Sequence, residues 1–160
     1  MHKIKITRKI CMEYIFRKYE ASDYEFIYEL KKLCYKHYVD ELLGGWNEED
    51  QRKMYEDFIL ERGNDIKILY VNNKLAGFVD GKNKDENSYE QGNICLLPEF
   101  RGQGIGSWYL SELIKNHKNQ NIYLRVFKSN PAKRLYDRMG FEIYDETPSH
   151  YLMVRAKEKC

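Results

Sequence analysis

The stretch LLPEFRGQGIGSWYLSELI, Leu96 to Ile114, sets three glycines at 102, 104 and 106 between an apolar run and an amphipathic segment. A glycine inside a helix costs about 1 kcal/mol relative to alanine. Glycines where a helix should begin therefore mark either a turn or a backbone that something approaches closely. A strand, a glycine-rich turn and a helix start form an anion site by construction. The first amides of a helix have no partner within it, and the dipole adds roughly half a positive charge there.

Three phosphate-loop patterns compete for this stretch. The dinucleotide pattern GxGxxG takes Gly102 and Gly104 but meets Ser107 at its third position, and the strand about 20 residues on, Asn121 to Phe127, carries no acid. The pattern GxxxxGK[ST] fails because no Lys-Ser or Lys-Thr follows the glycines. The third pattern, Arg-x-x-Gly-x-Gly, is met by Arg101, Gly104 and Gly106.

Elements on either side give the loop its setting. EYIFRKYE, Glu13 to Glu20, alternates as a strand does. Ser22 followed by Glu25 predicts a capping box, with Phe26, Ile27, Leu30, Leu33, Cys34 and His37 at helical spacing behind it. Asn47 opens a second helix whose apolar stripe is Met54, Tyr55, Phe58 and Ile59, and Gly63 stops it. Ile66 to Gly81 is a hairpin turning at Asn72-Asn73. After a polar turn at Lys84 to Asn87, a strand runs from Tyr89 to Leu97, and Pro98 ends it. Leu110, Leu113, Ile114 and His117 mark a third helix, and NIYLRVF, Asn121 to Phe127, a strand. Asn130-Pro131 opens a fourth helix that Gly140 closes, and FEIYD with HYLMVR forms a last hairpin. This order predicts one α/β (α+β) domain over residues 1–160: about seven strands, mostly antiparallel, about four helices, and one parallel crossover between 89 and 127.

The loop and its surroundings resemble the GNAT superfamily, the acyl-CoA-dependent N-acetyltransferases. Their pyrophosphate loop reads Gln or Arg, two residues, Gly, one residue, then Gly or Ala, after a splayed strand that often ends in Pro-Glu; LLPEFRGQGIG follows that order. A later helix in the family carries an Asn near its start, a Tyr on one face and a Gly-Phe exit, matched here by Asn130, Tyr136, Gly140 and Phe141. The motif-level resemblance runs from Tyr89 to Val154. GGWNEEDQ, Gly44 to Gln51, is similar to a Trp-centred segment of one bacterial branch.

The resemblance implies a GNAT fold and acetyl-CoA as co-substrate, with transfer by direct attack of a primary amine of a small molecule or a protein. It implies pyrophosphate contacts from Arg101, Gly102, Gln103, Gly104, Ile105, Gly106 and Ser107, and backbone bonds to pantetheine from Leu96 and Leu97, with an oxyanion role for an amide there. Asn130 would contact the cofactor as well as cap its helix. Tyr136 would return a proton to the leaving thiolate, since a phenol near 10 and a thiol near 8.5 are close enough in pKa. Eleven residues before Arg101 stands Glu90, the general base that the family's histone-modifying branch would place there. Glu48 and Glu49 compete with it, and an ordered water chain is the third choice. Trp46 with Glu41, Glu48, Glu49 and Asp50 would hold a cationic acceptor. His150, in the final hairpin, would flank the acceptor groove.

Bulk composition narrows the partners. The 27 basic and 25 acidic residues leave a net charge of +2, which argues against nucleic acid and membrane surfaces. A nucleic-acid module built on Lys128, Lys133, Arg134 and Arg138 lacks the RNA-binding aromatics. No His/Cys cluster has metal-ligand spacing, so no metal is expected. The four cysteines are scattered, and we read them as reduced and buried in a cytoplasmic protein, with a homodimer as the candidate assembly. MHKIKITRKICMEYIF is too interrupted by charge for a signal peptide. The rival from another class is an acyl-CoA-binding regulatory domain without catalysis, which would have no use for a placed acid at Tyr136.

Overall fold

The computed structural model describes residues 11–159; Cys160 and the first ten residues, with most of the segment weighed as a signal peptide, lie outside the described residues. Strand β1 is Tyr14–Lys18. Helices α1, Tyr24–Leu42, and α2, Glu48–Arg62, follow. Then come β2, Ile66–Val71, β3, Lys74–Asp85, and β4, Ser88–Leu96. Helix α3, Ile105–Asn116, leads to β5, Asn121–Phe127. Helix α4, Lys133–Arg138, precedes β6, Glu142–Glu146, and β7, His150–Arg155. The strands form one sheet in the order β1-β2-β3-β4-β5-β7-β6. Every pairing is antiparallel except β4 with β5. The α3 connection is the crossover that a parallel pair demands.

Neighbouring residues on β4 show how the sheet separates two cores. Cys95 packs with Ile27, Leu30 and Tyr55 of α1 and α2 over Ile66, Ile68 and Phe78. Ile94, one residue earlier, packs with Leu110 and Leu113 of α3 over Ile122, Leu124, Val126 and Met153. Side chains alternate across a strand, so α1 and α2 cover one face and α3 and α4 the other. Each such buried aliphatic contributes roughly 1.5–3 kcal/mol, against 0–1 for an exposed ion pair, so these two clusters hold the fold.

Local signals hold in part. Asn47 caps α2, its Oδ1 accepting the Asp50 N–H at 3.0 Å. Asn72 and Asn73 both take positive φ in the hairpin turn. The Ser22 box does not form. Arg17 of β1 grips Asp23 through both guanidinium nitrogens, at 2.8 and 2.9 Å, and Asp23 Oδ2 accepts the Glu20 N–H. The pinned aspartate makes a 3-10 turn over Ala21–Asp23, and α1 starts after it. On α2, Tyr55 is buried but Met54 turns to solvent. Asn130 Oδ1 accepts from the Ala132 N–H at 2.9 Å, which shapes a turn, and regular helix begins only at Lys133. The thiols also divide: Cys95 is buried, Cys34 half-buried and Cys11 exposed, all three free.

No sequence motif marks the bulge in β4. Between the pairs Val79↔Ile94 and Gly81↔Gln91, Gly92 and Asn93 together oppose Asp80. Asp80 is 2 % exposed. Its Oδ1 accepts the Asn93 N–H at 2.7 Å and Asn93 Nδ2 at 2.6 Å, and its Oδ2 accepts Arg62 Nη2 at 3.1 Å. A Cβ at residue 92 would overlap that carboxylate. Gly92→Ala is therefore expected to destabilise the fold by about 2 kcal/mol or more, read as a lower urea midpoint; an unchanged midpoint would contradict this packing.

Candidate active site

The bulge stands where the sheet opens. β4 pairs with β5 only from Ser88 to Glu90, against Asn121 to Tyr123. Beyond that the strands part, since a bulge bends its strand and strengthens its twist. Leu97 N–H donates to the Ala76 carbonyl at 2.8 Å, and Leu96 faces Gly77 in the same register. Antiparallel pairs alternate between bonded and non-bonded positions. Leu96 and Ile94 therefore turn their amides away from β3, into the fork. Leu97, expected beside Leu96, has its N–H committed to β3. The second open amide is that of Ile94, two residues back along the strand from Leu96.

The loop closes the wide end of the fork. Gly102 and Gly104 have φ of 71° and 81°, so both need the left-handed region. Gly106 differs: a Cβ there would come within 3.4 Å of Leu135 on α4. The first helical bond of α3 runs from Trp108 N–H to the Gly104 carbonyl, and no side chain caps this end. The amides of Gly104, Ile105, Gly106 and Ser107 are thus free of helical partners and lie next to open space at 102 and 104. The Ile105 side chain is buried, and Gln103 Nε2 donates to the Glu99 carbonyl at 2.6 Å, fastening the turn. Arg101 turns back onto the strand end, donating from Nε to the Leu96 carbonyl at 3.0 Å and from Nη2 to Cys34 Sγ at 3.4 Å. The site for an anion is therefore backbone amide, with one guanidinium beside it. An extended arm needs strand amides and a pyrophosphate needs convergent N–H groups; the fork and the loop supply both.

Tyr136 packs from α4 into the core under the fork, edge-on to Phe141 at 5.9 Å. Its hydroxyl makes no hydrogen bond among the described residues. Burial first, and the Cys95 thiol second, push its pKa up to about 12. The phenol is thus protonated at neutral pH. Asn130 sits at the head of this segment, its side chain occupied by the Ala132 amide.

An acetyltransferase (GNAT) family model matches residues 24–141. The ribosomal protein bS18-alanine N-acetyltransferase of Haemophilus influenzae is 30% identical over 142 residues, covering 86% of this chain and 87% of that protein. The chain belongs to the GNAT acetyltransferase family. It is an acyltransferase, and nothing in these relatives favours a silent binding domain. Among solved structures, PaiA N-acetyltransferase of Thermoplasma acidophilum in complex with coenzyme A is similar with a TM-score of 0.65 at 19% identity, covering 90% of this chain and 99% of that one. Arabidopsis thaliana Naa50 in complex with the bisubstrate analogue CoA-Ac-MVNAL is similar with a TM-score of 0.61 at 21% identity, covering 89% and 98%.

On the acceptor side of this GNAT fold the expected residues are dispersed. Glu90 lies six residues before Leu96, roughly 20 Å of strand away. It is held by Arg62 Nη1 at 3.0 Å and Lys84 Nζ at 2.9 Å. Burial raises its pKa, but these two cations outweigh it and hold the carboxyl below its usual range. A paired carboxylate at the closed end of the fork is no base for an amine at the open end. Trp46 and Glu48 bind each other: Trp46 Nε1 donates to Glu48 Oε2 at 2.9 Å, while Glu48 also accepts from Tyr28 Oη at 2.7 Å and Lys32 Nζ at 2.9 Å. The pair is a clamp between α1 and α2. The Tyr28 ring face is taken by Arg52, 3.6 Å from its centroid, so no aromatic box stands open there. His150 reaches the fork's wide end, its ring tilted by 32° against Phe127 with centroids 4.1 Å apart, and its Nδ1 is 2.7 Å from Ser149 Oγ. Burial, then Arg125, lowers its pKa, so its ring is neutral near pH 7.

Two cations missed from the sequence face the same side. Arg125 shares the face of β5 that carries Phe127, which packs on Tyr35 and Tyr38 of α1. Lys31 of α1 lies over the Phe58 ring at 4.0 Å, and burial lowers its pKa.

The Glu48 clamp has a pH signature. Hydrogen bonds from Tyr28, then Lys32 and Trp46, lower the Glu48 carboxyl to about 2. A carboxylate whose folded pKa is depressed stabilises above its unfolded value, near 4.3, and loses that contribution as pH falls toward 2. Glu48→Gln should lower Tm at pH 7 and flatten the loss of Tm between about pH 4.5 and 2. An unchanged Tm at pH 7 would free Glu48 for acceptor binding.

Proposed function

We propose that this chain transfers the acetyl group of acetyl-CoA to a primary amine, and that the acceptor is the α-amino group of a polypeptide N-terminus. The observation that carries the reading is the fork: open amides at Ile94 and Leu96, free helix amides at Gly104 to Ser107, and a protonated tyrosine beneath. Acetyl-CoA supplies the activated acetyl group. Ile94 and Leu96 would hold the extended arm against β4, one of their N–H groups polarising the thioester carbonyl. Gly104 to Ser107 would bind the pyrophosphate.

Tyr136 would return a proton to the leaving sulfur. Its pKa of about 12 widens the gap to a free thiol near 8.5. Burial raises a thiol for the same reason it raises a phenol, so a thiolate formed in the dry fork narrows that gap.

The electrostatics favour an α-amine. Glu90 is ion-paired at the closed end, and Lys31 and Arg125 disfavour a protonated guest. At pH 7.5 roughly a third of α-amino groups are neutral, against about one lysine in a thousand. The Haemophilus relative is named for an alanine of a ribosomal protein, and the Naa50 complex holds a peptide-derived analogue. Free, scattered thiols support a cytoplasmic setting.

Thiol release from acetyl-CoA tests the reading. Peptides with a free N-terminus should be turned over with kcat/KM at least about tenfold above N-blocked peptides carrying an internal lysine. Equal rates would remove the α-amine preference, and no release with any amine would remove the transferase reading. Tyr136→Phe should lower kcat about 100-fold while shifting acetyl-CoA affinity less than about twofold; an unchanged kcat would remove Tyr136 as the acid.

A further inference from the structure

One side chain of α1 touches both arms of the fork. Tyr35 Oη is 3.3 Å from Cys95 Sγ on β4, and the Tyr35 ring centroid is 6.1 Å from that of Phe127 on β5. β4 and β5 last pair at Glu90 and Tyr123, so both contacts lie beyond the point where the strands part. Cys95 stands between Ile94 and Leu96, the two residues whose amides open into the fork. The Tyr35 hydroxyl is therefore held beside the stretch of β4 that would take the thioester. It comes from the side of α1 and α2, whereas Tyr136 packs with the core on the opposite face.

Bonding decides how this phenol can act. Cys95 is fully buried, and its thiol donates to Tyr35 Oη. The phenol's own hydrogen has no acceptor among the described residues. Burial, and then Cys95, push the Tyr35 pKa well up, so the proton stays on at neutral pH. A phenol that keeps its proton and already accepts one bond has a donor left to offer. A buried donor without a partner carries a desolvation penalty, which a carbonyl oxygen arriving in the fork relieves.

We propose that Tyr35 is a further catalytic residue, whose Oη–H donates to the thioester carbonyl oxygen from the α1 side, and that Cys95 is the positioning residue that turns this hydrogen into the fork. The proposal rests on the acetyl-transfer reading and on no particular amine. As the amine nitrogen bonds the carbonyl carbon, the carbonyl electron pair moves onto oxygen, where Tyr35 and a strand amide share the charge. The pair returns as the carbon–sulfur bond breaks. Tyr136 protonates the sulfur, and the amine gives its extra proton to solvent. Tyr35 itself neither gains nor loses a proton. A donor aimed at charge that grows only during the reaction raises kcat more than it tightens binding.

Tyr35→Phe keeps the ring and removes the donor, so it tests the proposal. Its kcat for thiol release should fall at least about tenfold, with KM for acetyl-CoA within about twofold and Tm close to that of the unaltered chain. Cys95→Ala should lower kcat at least about twofold in the unaltered chain and not at all in the Tyr35→Phe background. Difference infrared spectroscopy of bound acetyl-CoA, isotope-labelled at the thioester carbonyl, reads the contact without any amine. The carbonyl stretch should lie lower in the unaltered chain than in Tyr35→Phe. The same stretch in both chains, an unchanged kcat, or an equal effect of Cys95→Ala in both backgrounds would overturn the proposal. Equal rates on α-amines and lysines would remove the acceptor assignment and leave these readouts standing, so the two fail separately.

Discussion

A buried carboxylate decides where the sheet opens. Asp80 sits inside the sheet's core, where an isolated charge would be prohibitive, and burial pushes its pKa up. It is kept by three donors, two of them on Asn93 and one on Arg62. Taking the Asn93 amide forces two residues of β4 to oppose one of β3, and Gly92 supplies the space. Removing one partner of such a buried pair costs about 3–5 kcal/mol, so the bulge is held firmly. Everything the site offers lies downstream of that bend: the parting of β4 from β5, the two unpaired amides, and the room between them.

Arg62 links this constraint to chemistry. Its guanidinium serves Asp80 and Glu90 from separate nitrogens, while Nε lies 3.3 Å from Asp65 without the alignment of a hydrogen bond. Glu90 is thereby part of the scaffold that props the fork, at the end where the strands still pair. The wide end carries Arg125, Lys31 and a neutral His150. Cations beside the fork suit an acceptor that arrives uncharged, and they stabilise the negative charge that develops on oxygen and sulfur.

Much of this was legible in sequence, because the signals were local. Asn47, Asn72-Asn73, the glycines at 102 and 104 and the Gly140 exit are set by turn and cap chemistry within a few residues, and the structure places each there. The order of strands and helices followed from periodicity. What escaped depends on partners far along the chain. Ser22 lost its cap because Arg17 claims Asp23. Glu90 counted to a base position, yet spacing along a strand does not reveal that Arg62, 28 residues earlier, holds it. Trp46 and Glu48 looked like a pocket and are bonded to each other. Leu97 and Ile94 exchanged roles because register, not adjacency, decides which amide is open. Gly92 gave no motif, since its reason is a carboxylate on the neighbouring strand.

Amide hydrogen exchange with and without acetyl-CoA addresses the fork most directly. Binding should strongly protect Ile94, Leu96 and the Gly104 to Ser107 amides, leaving Leu97 and Glu90 at the rates they show in the free protein. Protection spread evenly along β4, or absent from Ile94 and Leu96 while acetyl-CoA binds, would contradict a site built on the parting of these strands.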